Sequence, residues 1–367
     1  LEEREAFKDK WMKIKSLELK DYRNINHVRF DFHKHLNIFY GDNGQGKTNI
    51  LEAIALLSLG RSFRLNQDAY LIKENQPFSM IEATLENDEK LKVVISDKGK
   101  YLTRNQKVIE KLSDFIGICN VVLFHPDDLQ FFTQSPMKRR KEIDYELGKN
   151  SHTYLSNLST VNQLLANRNA FLKKDSEDQL YLEVMDEQWI KLSVSIIENR
   201  RDFIAAISET TDLYFSKLSD LNSKITIDYQ TQIDLKETDY LSALKKRVDD
   251  NYRRDKEFRL THVGIHRDDY IFKIDGEPII NVLSQGQRRL LIIAFKFAII
   301  NWLIQKNDKV PIFCMDDLFS ELDHVKRQNV LDLLDENLQV FITTTDLNFI
   351  ETKKDKRIFE IKGGNVV

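Results

Sequence analysis

The chain has 367 residues, 41% hydrophobic and 31% charged, a length that suits two or three packed domains and a composition that excludes a disordered or fibrous protein. Its 55 basic and 58 acidic residues leave a formal charge of -3, so any nucleic-acid or membrane binding needs a local basic patch rather than global attraction. Cys119 and Cys314 sit in apolar runs without metal-like spacing and are read as reduced, buried thiols of a cytoplasmic protein. The longest apolar stretch, 290–304, is too short for a membrane span and is interrupted by Lys296; the charged start does not suit a signal peptide. Residues 1–11, ahead of Met12, are set aside as an upstream extension or a cloning remnant.

From Met12 onward, residues 14–19 alternate as a strand, 21–26 are rich in turn formers, and a second strand precedes the apolar run Leu36, Asn37, Ile38, Phe39, Tyr40. That run ends in a glycine loop, after which Ile50, Ile54 and Leu57 recur at helical spacing. Short strand-like segments such as 91–95 then suggest an antiparallel flank. In the middle third, Tyr154, Leu158, Val161 and Leu165 are spaced four, three, four, and Met185, Trp189, Leu192 and Ile196 repeat the interval, predicting long paired helices. Residues 224–229 alternate as a strand, and helical spacing returns at Tyr240, Leu244 and Val248. From about Thr261 strand, loop and helix punctuation resumes, ending in a hairpin over 357–367 with Gly363-Gly364 as its turn. The expectation is an α/β domain split by a helical insertion.

The strongest motif is Gly41-Asp42-Asn43-Gly44-Gln45-Gly46-Lys47-Thr48, a full Gly-x-x-x-x-Gly-Lys-Thr string between a strand and a helix. Its glycines let backbone N–H groups turn inward around phosphate, the helix N-terminus adds partial positive charge, Lys47 reaches the β and γ phosphates, and Thr48 ligates magnesium. A second acidic site is needed for that metal. The run Ile312-Phe313-Cys314-Met315-Asp316-Asp317 supplies it: a buried strand delivers Asp316 to the magnesium shell and Asp317 to orient or polarise an attacking water. Between them, Leu283-Ser284-Gln285-Gly286-Gln287 precedes a helix; Ser284 suits its cap and Gly286 allows close backbone approach to a phosphate. Ser320-Glu321-Leu322-Asp323 follows the carboxylates.

This order of P-loop, Leu-Ser-x-Gly-Gln signature, double acid and Ser-x-Leu-Asp loop resembles the ATP-binding-cassette (ABC) ATPases, and within them the SMC-like DNA-repair branch. Asp21-Tyr22-Arg23-Asn24, Gly60-Arg61-Ser62-Phe63-Arg64, Phe124-x-Pro126-x-Asp128-Leu129, Ser135-Pro136-x-x-Arg139-Arg140 and Gly264-x-His266-Arg267-Asp268-Asp269 narrow it to the RecF family, from about Met12 to the C-terminus. The resemblance implies an ABC-type ATPase head over 12–135 with 256–367, a P-loop mixed sheet with an antiparallel flank, split by a helical arm domain over 136–255. It implies nucleotide contacts at Arg23, at 41–48 and at Asn49, with Lys47 and Asp317 catalytic, Thr48 and Asp316 on Mg2+, the signature Ser284, Gln285, Gly286 and Gln287 acting on the ATP of a second copy, and Ser320 to Asp323 as the D-loop. It further implies an ATP-dependent homodimer, gapped or single-stranded–duplex DNA, slow DNA-stimulated hydrolysis, RecR as partner with RecO in the same pathway, recombinase loading, and no membrane.

At one position the pattern departs from transporter cassettes: Thr343-Thr344-Thr345 stands where those carry a switch histidine. Arg61, Arg64, Arg139 and Arg140 are the candidate DNA contacts, and Lys138 to Lys141 and Lys245 to Arg247 read equally as solvated helix faces. His262 and His266 are a poor metal pair because Gly264 breaks any shared helical face. His266-Arg267-Asp268 imitates a kinase triplet without the rest of that machinery. A transporter subunit would lack the helical insertion. A chromosome-organising SMC protein would need an arm longer than the ~80 Å that the insertion can span folded back on itself. A nuclease-linked ATPase would need a further acidic metal domain.

Overall fold

The structure, a computed structural model, describes residues 13–65, 67–174, 179–236, 238–306 and 310–367. The expectation for residues 1–11 lies outside the described residues. The fold is mixed α/β and divides into two compact units: one holds the described residues up to Leu129 with Leu213–Asn222 and Ser284–Val367, the other Gln130–Asp212 and Ser223–Leu283.

In the first unit, six strands form an antiparallel sheet in the order Ile25–Asp31, Ile14–Tyr22, Phe78–Leu85, Lys90–Ser96, Gly99–Arg104, Lys107–Ile109. Phe78–Leu85 and Lys90–Ser96 alternate between buried and partly exposed positions, so one face enters the core and the other meets solvent. A second sheet runs in the order Asn365–Val366, Lys356–Lys362, Leu36–Tyr40, Val340–Thr344, Ile312–Met315, Val121–Phe124. All its pairings are parallel except the terminal hairpin. Its middle strands are buried at every residue over Ile312–Met315 and Val340–Thr344, as expected where helices cover both faces. Phe30, Phe32, Phe39, Phe341 and Phe359 pack together within this unit, Phe32 edge-on to Phe341 at 4.7 Å between centroids.

Register in the parallel sheet decides where the chemistry falls. Tyr40 lies opposite Thr344 and Met315 opposite Ile342, so the loop after Tyr40, the residue after Met315 and the threonines of Val340–Thr344 emerge at the same edge. The helix Lys47–Leu59 follows the loop, and Gly60, with φ 64°, ends it in the left-handed conformation that glycine adopts without penalty. The helix Gln285–Lys306 is apolar almost all round through its buried stretch, with Lys296 buried in its middle.

The second unit contains the helices Pro136–Asn150, His152–Lys173, most of Gln179–Leu218 and Tyr240–Phe258, with a three-stranded antiparallel sheet of Glu277–Pro278, Asp269–Ile274 and Ile225–Gln230. The apolar seams do pack: Tyr154, Val161, Met185, Trp189, Ile196, Tyr240, Leu244 and Val248 are all buried. Residues 256–283 belong to this unit because Asp269–Ile274 pairs along its whole length with Ile225–Gln230. Arg168 and Arg200 are almost fully buried among the helices. Arg200 is held by Asp144 at 2.9 Å and Asp268 at 2.7 Å, and Arg168 by Asp186 at 2.8 Å and Asp255 at 2.6 Å. Such pairs are costly to assemble and more costly to break, because removing one partner strands a buried charge.

Candidate nucleotide site

The loop between Tyr40 and Lys47 is shaped by three glycines at positive φ, Gly41 at 149°, Gly44 at 80° and Gly46 at 104°. At Gly41 a Cβ would lie 2.4 Å from the Ile361 carbonyl oxygen, so glycine there is a packing necessity as well as a conformational one. Gly46 is the N-cap and offers no side chain to the first-turn amides, an arrangement that favours an anion there. Lys47 is buried and its Nζ donates to the carbonyl oxygens of Gly41 at 2.6 Å and Asp42 at 2.8 Å. Burial lowers its pKa, opposed by the charges of Asp317, Asp316 and Asp42.

Asp316 stands at the centre of the site. Its Oδ1 accepts from Thr48 Oγ1 at 2.9 Å and from Thr343 Oγ1 at 2.7 Å, joining the start of the P-loop helix to two neighbouring strand ends. Its Oδ2 faces His125 Nε2 at 3.6 Å, and the Phe63 ring lies edge-on to His125. Asp317 adopts φ 46°, a strained value for a non-glycine residue, and its N–H donates to Thr343 Oγ1 at 2.9 Å. Burial raises the Asp317 carboxyl above its ordinary pKa, with the contact to Ser320 opposing. A carboxylate with raised pKa is a stronger base when ionised. Ser320 Oγ donates to the Asp317 carbonyl at 3.0 Å, Leu322 is buried, and Asp323 caps the helix His324–Asp332 by accepting from Lys326 N at 2.9 Å.

The signature is exposed at Ser284, Gln285 and Gly286, and a Cβ on Gly286 would meet nothing within 4 Å. Ser284 and Gln287 bond reciprocally, Ser284 N to Gln287 Oε1 at 2.9 Å and Gln287 N to Ser284 Oγ at 3.3 Å, a capping box at the head of Gln285–Lys306. Arg289, one turn along, forms an ion pair with Glu321 of the D-loop.

Other expected residues sit around the rim. Asn49 Nδ2 donates to Asn24 Oδ1 at 2.8 Å, and Arg64 Nη1 donates to Asn49 Oδ1 at 3.3 Å. Arg23, at φ 55°, directs its Nε to Glu52 at 3.1 Å rather than to the loop 41–47. Gln45 is braced by the terminal hairpin: Gly364 N donates to its carbonyl at 2.9 Å and Gly363 N to its Oε1 at 2.7 Å. Arg64 is exposed; Arg61 is half-buried, and burial lowers its pKa to about 10.

Two candidate DNA contacts require correction. Arg139 is buried with its guanidinium held bidentately by Asp269, at 2.8 and 2.7 Å, and bonded to the Gln134 carbonyl. Arg140 Nη1 donates to the Asp268 carbonyl at 2.5 Å, and burial lowers its pKa, with Arg200 adding to the effect. Arg139 serves the interior of the second unit because the strand starting at Asp269 presents its first residue to the helix carrying it, and the half-buried Arg140 is tied to the residue just before that strand. Neighbouring histidines are likewise engaged: His262 Nδ1 meets Asp255 at 3.0 Å, and His266 Nε2 meets the Thr261 carbonyl at 3.0 Å, with burial lowering the His266 pKa to about 4.

Sequence reasoning did not single out Glu52, Ser62, His125 or Gln45's hairpin brace. Glu52 had a readable signal, a lone charge inside the apolar helix Ile50, Leu51, Ala53, Ile54. His125 lies within a quoted motif, but its approach to Asp316 depends on two strands 191 positions apart lying side by side.

Residues 13–363 match the RecF/RecN/SMC N terminal domain family. The chain is 38% identical over 363 residues, 97% of its length and 99% of the relative's, to the DNA replication and repair protein RecF of Streptococcus suis strain 05ZYH33. It is 37% identical over 361 residues to the protein of the same name from Streptococcus gordonii, covering 97% of this chain and 100% of that one. Among solved structures it superposes on the recombination mediator protein RecF with ATP in the RecFOR pathway with a TM-score of 0.89 at 28% identity, each chain covered to 97%.

Proposed function

Since the chain belongs to the RecF/RecN/SMC family and, within it, to the RecF branch, we propose that it is an ATP-driven switch for DNA repair, whose nucleotide-bound form pairs with a second copy and grips gapped DNA. The observation that carries this reading is the convergence of Thr48 and Thr343 on Asp316 at the end of a loop shaped by three glycines of positive φ. In this reading the first unit is the ATPase head and the second an arm.

The donor set fits a hard divalent cation: hydroxyl and carboxylate oxygens already lie together, the ligands magnesium prefers alongside substrate phosphates. Thr48 and Asp316 would hold it, and it would neutralise charge between the β and γ phosphates. The protein's own part follows. Loop amides and Lys47 bind the phosphates, Thr343 fixes both Asp316 and the Asp317 backbone, and Asp317 takes a proton from the attacking water.

Ser284, Gln285 and Gly286 stand exposed at a helix start capped by Ser284 and Gln287, ready to cover the γ-phosphate of a second copy, so each nucleotide would sit between two heads. ATP then favours the closed pair by binding it more tightly than the open head, and hydrolysis releases it. Arg61 and Arg64 are the DNA contacts of this reading. RecR as partner, RecO in the same pathway, and recombinase loading on gapped DNA complete this reading, supported by the likeness to a structure described as a recombination mediator in the RecFOR pathway. Sedimentation of the protein with gapped DNA under ATP, ADP and no nucleotide tests it. A DNA-bound pair should form with ATP alone, and equal pairing in all three conditions overturns the proposal.

A further inference from the structure

Glu52 is a fully buried carboxylate on the P-loop helix, one turn beyond Thr48. A charge there is tolerated only if partnered, and besides the neighbouring Tyr22 phenol it meets a donor from each of two separate segments. Arg23 Nε donates to its Oε2 at 3.1 Å, and the Ser62 hydroxyl donates to its Oε1. Ser62 Oγ in turn accepts from Arg64 N at 3.0 Å and Leu65 N at 2.9 Å, so the loop that carries Arg61 and Arg64 is wound around a hydroxyl anchored on Glu52. On the outer side Arg64 bonds Asn49, and Asn49 bonds Asn24, next to Arg23. The two segments thus close a ring about the first turns of the helix whose N-terminus faces the nucleotide.

We infer that Glu52 is a positioning residue that couples the nucleotide site to the DNA-contacting loop, by holding Arg23 with one oxygen and the 61–65 loop with the other. The inference rests on the ATP and DNA roles proposed above and adds the connection between them. If phosphate draws Arg23 toward the loop 41–47, Glu52 loses that guanidinium and strengthens its hold on Ser62, which resets the backbone at Arg64. DNA on Arg64 must bias Arg23 by the same amount, because coupling between two binding sites is reciprocal.

The test measures affinity for a gapped duplex by fluorescence anisotropy with and without a slowly hydrolysed ATP analogue, in the full chain, in Glu52→Gln, in Ser62→Ala and in Ser62→Thr. The parent should show a nucleotide-dependent gain on the order of tenfold, within the usual range for coupled sites. Glu52→Gln and Ser62→Ala should lose most of that gain, Ser62→Thr should keep it, and ATP affinity without DNA should stay nearly unchanged in Ser62→Ala. A purely structural role would lower both affinities and the melting temperature together and leave the ratio intact, and that result overturns the inference. Where Glu52→Gln does not fold, Ser62→Ala decides alone. A parent that shows no nucleotide-dependent gain sinks the ATP-switch reading itself, and this one with it.

Discussion

Asp316 shares one oxygen between Thr48 and Thr343, so a single carboxylate registers both the P-loop helix and the strand behind Asp317. Lys47 does the complementary work on the phosphate side, its ammonium parked on two loop carbonyls until an anion competes for it. Lys47→Met keeps the bulk and removes the charge. ATP binding should weaken about a hundredfold, the scale of a lost charge-assisted bond in a dry site, as read by titration calorimetry. Asp317→Asn removes the proton acceptor yet keeps Asp316, so binding should persist while hydrolysis falls about a hundredfold or more. Hydrolysis at the parent rate in that variant assigns the water to another group.

At the scale of elements, two packing solutions matter. The terminal hairpin lays Ile361 against Gly41 and pins Gln45 from both glycines of its turn, so a strand near residue 360 stiffens a loop near residue 45. Gly41→Ala forces a Cβ into the Ile361 carbonyl oxygen, and nucleotide binding should be lost together with a fall in melting temperature. In the second unit, the helix Pro136–Asn150 is tied to Asp269–Ile274 by the Arg139 to Asp269 pair. Arg139→Ala leaves the half-buried Asp269 carboxylate without its guanidinium and should cost about 2 kcal/mol in urea unfolding, with the salt slope of DNA binding unchanged. A shallower slope at unaltered stability would instead return Arg139 to the DNA surface.

For the whole molecule, a charge of -3 gives a single copy little attraction for a polyanion, whereas two copies brought together double every local cationic contact. ATP-dependent DNA binding should therefore fall steeply with salt and show little base preference. Ser284→Arg places a bulky cation on the exposed signature without touching Lys47 or Asp316. It should leave ATP binding of the single copy intact and abolish ATP-dependent pairing in sedimentation. Pairing equal to the parent's defeats the idea of a site shared between copies.

Local strings of the sequence carry the chemistry that a few backbone positions encode: glycines where N–H groups must turn inward, two acids ending a fully apolar strand, a serine and a glutamine three positions apart at a helix start. These are local, and their physics is complete within a few residues. The α/β class and the helical seams were legible for the same reason, since periodicity is also local. Tertiary structure alone decided which charges face inward. Arg139 and Arg140 read as a cationic pair on a helix and Arg23 as a phosphate contact, yet each has a partner 29 to 130 positions away. Whether an arginine meets solvent or a buried carboxylate depends on the register of a distant strand, and no local pattern carries that register.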